Sequence, residues 1–285
     1  MQHKNTGETL KELISKHATP ETDQWIDEKL RKIVSEPSAK ELYLSYSLLS
    51  GKADSSTPVE FGATDSEITS YLKKHNADLL QTCRIYLLVR ALEDNAEYFI
   101  PKVANLIQLA DTRELETFLK FLTLLPEAAE FKSVAVEALR TNIATVFDAI
   151  SLNNPYPAEH FNDQQWNQMY LKAAFMQRNL SEIVDIDQRA NKDLTRIISD
   201  YAHERWAASR DVDPYFWRPV TKFMDATLLE DMKRLLESEN TTENNAAALC
   251  CFHSENGEAK SLLNNYPQLI SKVETEAISW KNLKD

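Results

Sequence analysis

Residues 190–210 read ANKDLTRIISDYAHERWAASR. At about 100° of turn per residue, Leu194, Ile197, Ile198, Tyr201 and Ala208 fall on one apolar stripe of a helix. Ser199, His203, Trp206 and Arg210 fall on the opposite side. A helix with two such faces has two readings. Either it is sandwiched between neighbours, or its second face is a recognition surface. In the second reading Trp206 stacks a planar or apolar group and Arg210 binds an acid. Glu204 and Arg205 flank the apolar stripe, where they can pair with Asp200 or Arg210.

The same period runs outward in both directions. Toward the N-terminus it marks helices at 163–177, 142–150, Glu127–Thr141, Thr112–Leu125, 95–110 and Asp78–Glu93, then Leu42–Leu49 and the helix opened by Pro20. Toward the C-terminus it marks 214–223, 225–238, 242–253, 256–264 and 266–280. No stretch alternates strictly with period two, so the expected class is all-α. Two segments read as irregular: GKADSSTPVEFGATDS at 51–66 and SLNNPYPAEHFN at 151–162. They suggest helical halves 1–150 and 151–285 within one continuous domain.

So many helices of ordinary length fit a superhelix of stacked hairpins, HEAT- or armadillo-like, better than a compact multi-helix bundle. ENNAAALCCFHS followed by GEAKSLL has the texture of a HEAT pair, with small residues that let neighbours approach closely.

Composition removes many functions. The 285 residues include 4 glycines, at 7, 51, 62 and 257, too scattered for a P-loop, a dinucleotide fingerprint or a nucleophile elbow. The net charge is −12, with −6 in each half, so no segment is basic enough to track a phosphate backbone, and nucleic acid is not an expected partner. The three cysteines, Cys83, Cys250 and Cys251, read as buried packing thiols in a reducing compartment. The longest apolar run, Ala246–Phe252, is far short of the ~20 residues a spanning helix needs. MQHKNTGETLKEL has no apolar core of a signal peptide, which points to the cytoplasm.

Chemistry-bearing motifs are fragmentary. His203-Glu204 would need a second histidine at 207 to be a zinc-protease helix, and that residue is Ala. Asp185-x-Asp187 and Asp211-x-Asp213 lack the glycine of a calcium loop at the sixth position, which is Ala190 in one case and Phe216 in the other. Asp211 and Asp213 read instead as caps for a helix starting at Pro214. Glu93-Asp94 and Glu230-Asp231 do not extend to the D-D-x-x-D motif of terpenoid enzymes. No catalytic residue, metal ligand or cofactor is expected.

NPYPAEHFNDQQWNQMYLKAAF and DYAHERWAASRDVDPYFWRPV resemble the EboA family, most closely over 153–220. The residues that carry the resemblance are Asn153, Pro155, Tyr156, Pro157, Trp166, Asn167, Lys172, Asp200, Tyr201, His203, Glu204, Arg205, Trp206 and Arg210. It implies a helical protein from an ebo gene cluster, accessory to moving natural-product precursors out of the cytoplasm. Implied partners are other cluster proteins, among them a membrane prenyltransferase-like protein, which would place the chain at the periphery of the inner membrane.

Candidate ligand- or partner-binding residues are Tyr156, Trp166, Asn167, Lys172, His203, Glu204, Trp206 and Arg210. The first expectation is a non-enzymatic interaction protein. The alternatives are a carrier whose pocket of Trp166, His203, Trp206 and Arg210 holds an aromatic or isoprenoid acid, and an enzyme acting on a prenyl diphosphate.

Overall fold

The computed structural model describes residues 5–61 and 66–284. They are helical, with no strand among them; an isolated bridge joins Pro58 to Asp78. Part of the loop expected at 51–66, including Gly62, lies outside the described residues. The chain divides into two compact units, Met1–His160 and Phe161–Asp285, so the division falls inside the segment read as irregular.

The first unit begins with α1 (Thr6–His17), α2 (Pro20–Ser35), α3 (Ala39–Leu48) and α4 (Glu67–Lys74). These are followed by α5 (Leu79–Leu109), α6 (Thr112–Phe121), α7 (Lys132–Ala138), α8 (Ala144–Ser151) and α9 (Tyr156–His160). Oxygen-bearing caps set the starts. Thr19, Ser38 and Ser66 accept from the third residue on, and Asp78 with Gln81 and Asp111 with Glu114 form reciprocal capping boxes.

Helix α5 is the axis of this unit, packed by α1, α2, α3, α6 and α7. From Leu79 to Leu92 it is buried nearly all round, as a helix with neighbours on every side must be. The two helices expected at 78–93 and 95–110 are its two arms. Asn95 leaves helical geometry (φ −150°, ψ 80°) and its side chain caps the second arm through the Tyr98 N–H at 3.0 Å. The kink is therefore at Asn95, and Pro101 lies within the second arm.

The segment 151–162 is more ordered than its prolines and asparagines suggest, because it contains α9. Asn154, 2% exposed, is the reason. Its amide donates to the carbonyls of Leu119 (2.9 Å) and Ala149 (2.8 Å), and its Oδ1 accepts from the Tyr156 N–H at 3.0 Å.

His75 follows α4 and packs on Tyr71 and Phe121, with ring centroids 4.4 and 5.9 Å away. Its Nε2 donates to the Asn153 carbonyl at 3.2 Å. Burial pushes its pKa from 6.5 down to about 4; the Asn153 contact opposes the fall, and Lys120 and Lys74 add to it. Between those two values the unfolded chain binds a proton that the folded chain refuses, so stability falls as pH drops from about 6.5 to about 4. The full effect is of the order of 3 kcal/mol. Urea midpoints at pH 7 and pH 4.5 check this. His75→Phe is expected to lose much of the acid sensitivity, and an unchanged difference between the two pH values would refute the assignment.

The second unit holds α10 (Asp163–Phe175), α11 (Ile186–Arg189), α12 (Lys192–Ala207) and α13 (Ala226–Leu236), then α14 (Thr241–His253), α15 (Gly257–Leu263) and α16 (Pro267–Glu274). The helix expected at 214–223 is a ten-residue 3-10 segment. Pro214 and Pro219 withhold two N–H groups within it, which disfavours a regular α-helix. It packs on α12 and on α14, whose residues Ala246 to Cys251 are all buried.

Helices α14 and α15, in the stretch from ENNAAALCCFHS to GEAKSLL, are neighbours. Asn256-Gly257, a dipeptide common in hairpin turns, here starts α15, with Asn256 capping the Glu258 and Ala259 N–H groups. The thiols behave as packing groups. Burial pushes Cys83 and Cys251 up to about 12, and Cys250 donates weakly to the Trp217 carbonyl at 3.4 Å.

Candidate binding face of helix α12

Helix α12 is anchored at its start by a reciprocal amide pair. Asn191 caps the Leu194 N–H at 2.9 Å and donates to Asn167 Oδ1 at 2.9 Å, while Asn167 donates back at 3.1 Å. Asn167, 3% exposed, thereby ties α10 to the start of α12. Trp166 is 1% exposed, with the Arg189 guanidinium 4.9 Å from its ring centroid. Lys172 is half-buried farther along α10. Tyr156 belongs to the first unit, where it is fully buried and its hydroxyl donates to the Ala128 carbonyl at 2.8 Å.

Both faces of α12 are engaged. Leu194, Ile198 and Ala202 are fully buried, whereas Ile197 and Tyr201 are half-buried and Ala208 is exposed. The buried stripe is thus centred nearer Thr195 and Ser199 than the apolar pattern suggests. On the second face, Ser199 Oγ donates to Asp231 Oδ2 at 2.7 Å and His203 Nε2 meets Asp231 Oδ1 at 2.6 Å. Asp231, on α13, is 3% exposed, and a buried carboxylate needs such partners. A Ser-His-Asp relay places the histidine between the other two groups. Here the carboxylate sits between serine and histidine, so the trio fastens α12 to α13.

One turn on, Trp206 stacks on Trp217 with centroids 5.6 Å apart and planes 22° apart. His203 lies 5.6 Å from it, and the Arg234 guanidinium of α13 lies 4.2 Å from its ring centroid. Arg205 does not form the expected pair with Asp200; its Nε and Nη2 donate to the Asp211 carbonyl at 3.0 and 2.8 Å. Glu204 and Arg210 are exposed. Asp213 caps the 3-10 segment through the Tyr215 N–H at 3.0 Å, as expected, while Asp211 is exposed at a pocket. Asp187 is held by Arg218 at 2.9 and 2.6 Å.

Two openings flank the Asp231 fastening. One, of about 300 Å³, is lined by Trp206, Asp211, Arg234, Leu235, Ser238 and Glu243. The other, of about 700 Å³, lies between the first half of α12 and residues 222–228, and Ser199 is part of its lining. Of the residues named from sequence, Trp206 lines the smaller opening. Trp166, His203 and Arg210 are not part of its lining.

Asp231, Arg234 and Trp217 are not among the candidate residues that the sequence offers. A signal for Asp231 was present: it lies at helical spacing on the buried stripe of Leu228, Met232 and Leu235, where a lone carboxylate calls for a partner.

Among the described residues, no group of three or more His, Cys, Asp or Glu side chains comes together to hold a metal, and no helix is long and apolar enough to cross a membrane. No curated protein and no solved structure matches the chain. The family model described as metabolite traffic protein EboA matches residues 6–221, about three quarters of the chain. The match reaches well N-terminal of 153–220 and ends before α13, so Asp231 and Arg234, the partners of His203 and Trp206, lie beyond it. The chain belongs to the EboA family, named for metabolite traffic.

Proposed function

We propose that this is a non-enzymatic interaction protein accessory to natural-product precursor traffic, and that it docks a partner in the larger opening beside α12. The observation that carries this reading is a set of unneutralised charges. Lys192, Asp193, Arg196 and Asp200 line one side of that opening, with Lys222 and Asp225 across from them. No ion pair joins any of these charges to another described residue, although three are basic and three acidic. Phe223, Met224 and Leu228 supply an apolar floor. Lys222 also donates to the Asp187 carbonyl at 2.7 Å and Asp225 caps the Leu228 N–H at 2.9 Å, contacts that leave their charges unneutralised. A partly apolar groove rimmed by charges of both signs outside any ion pair suits a protein surface of complementary pattern. The partner is another ebo-cluster protein, and a prenyltransferase-like membrane protein would draw the chain to the inner membrane.

The test is capture from the native host after mild crosslinking, with tagged wild type and Arg196→Glu side by side. Wild type is expected to retain a cluster protein and the variant at least tenfold less, with unchanged circular dichroism. Equal retention by both, or no partner with wild type, would contradict the reading. The second reading, a small-molecule carrier, is favoured by the opening at Trp206.

A further inference from the structure

The geometry points to the Trp206 opening as a binding site for a small amino acid-like molecule, one carrying a carboxylate and at least one ammonium group. This is independent of the docking groove, because no residue lines both openings. Arg234 lies against the Trp206 ring at 4.2 Å and makes no hydrogen bond or ion pair with another described residue. Without such a bond its N–H groups stay free, and the guanidinium fork matches a carboxylate with two parallel bonds.

The ring beneath it is itself fixed by Trp217 and His203, so the cation is presented by a stiff support. Two carboxylates complete the lining. The Asp211 side chain has no partner among the described residues, since Arg205 uses only its backbone carbonyl. Glu243 accepts from Ser238 Oγ through one oxygen and keeps the other.

One cation beside two carboxylates complements a ligand with one negative and two positive groups. A basic amino acid has that pattern, and an opening of about 300 Å³ has room for one. Leu235 offers apolar contact to the methylene stem.

Calorimetric titration of the full chain with L-lysine, lysinamide and Nα,Nε-diacetyl-lysine tests the proposal. Lysinamide lacks the carboxylate and the diacetyl compound lacks both ammonium groups. Lysine is expected to bind at least tenfold more tightly than either. Arg234→Gln should bring lysine down to the lysinamide level, and Glu243→Gln should narrow the gap between lysine and the diacetyl compound. Arg234 is exposed, so its replacement leaves the fold intact, and Arg196→Glu should leave lysine binding unchanged. Equal affinity for all three probes, no binding of lysine at millimolar concentration, or full lysine binding by Arg234→Gln would each overturn the assignment.

Discussion

Trp217→Ala is expected to destabilise the second unit by about 4 kcal/mol, the range for removing a fully buried large aromatic. Trp217 is 0% exposed, and its indole Nε1 has no hydrogen-bond partner. The whole cost is therefore packing: the ring is fully buried on a segment that packs on α12 and α14, and it supports Trp206. Trp206→Ala, at the partly exposed end of the same stack, should cost about 1–2 kcal/mol, because part of that ring already meets water. Urea unfolding followed by circular dichroism measures both. A loss below about 1 kcal/mol for Trp217→Ala, or equal losses for the two variants, would show that the stack does not brace the site.

Asp231→Ala is the second large effect, expected near 3 kcal/mol. It removes the acceptor of two hydrogen bonds and leaves the Ser199 hydroxyl, only 5% exposed, without a partner. A buried orphan of that kind costs about 1–3 kcal/mol, and the cavity adds to it. His203 suffers less, since half of its side chain is exposed and can turn to water.

The same physics predicts a rescue. Ser199→Ala with Asp231→Leu removes both polar partners and refills the space, and is expected to return within about 1 kcal/mol of wild type. Denaturation midpoints of the three proteins decide the matter. A double variant weaker than Asp231→Ala would contradict the account, because it would show that the loss does not come from the orphaned Ser199 hydroxyl and the cavity.

The helical class was legible because it rests on local period. Leu194, Ile198 and Ala202 are buried together as a 3.6-residue repeat requires. The break between 78–93 and 95–110 was legible and falls at Asn95, whereas 214–223 reads as a helix by period and its two prolines make it a 3-10 segment instead. Helix α1 lies outside the expected helices, although Leu10, Leu13 and Ile14 share its buried face.

The second face of α12 was legible as a face but not as to its purpose. Ser199, His203 and Trp206 do lie together, yet their partners Asp231, Trp217 and Arg234 come from elsewhere in the chain, and spacing along one helix does not reveal them. The same limit applies to α10. The resemblance marks Trp166 and Asn167 for binding, while the structure gives one an Arg189 cover and the other an Asn191 partner. Arg234 takes the position beside Trp206 that the helical wheel had suggested for Arg210.

Lysine-reactive crosslinking in the native host, with the joined peptides mapped by mass spectrometry, tests the docking groove most directly. Lys192 and Lys222 are exposed on its two sides. Their ammonium groups should be joined to peptides of a cluster partner. Partner peptides joined only to lysines of the first unit, such as Lys29, Lys40 or Lys120, with Lys192 and Lys222 carrying hydrolysed reagent alone, would contradict the account.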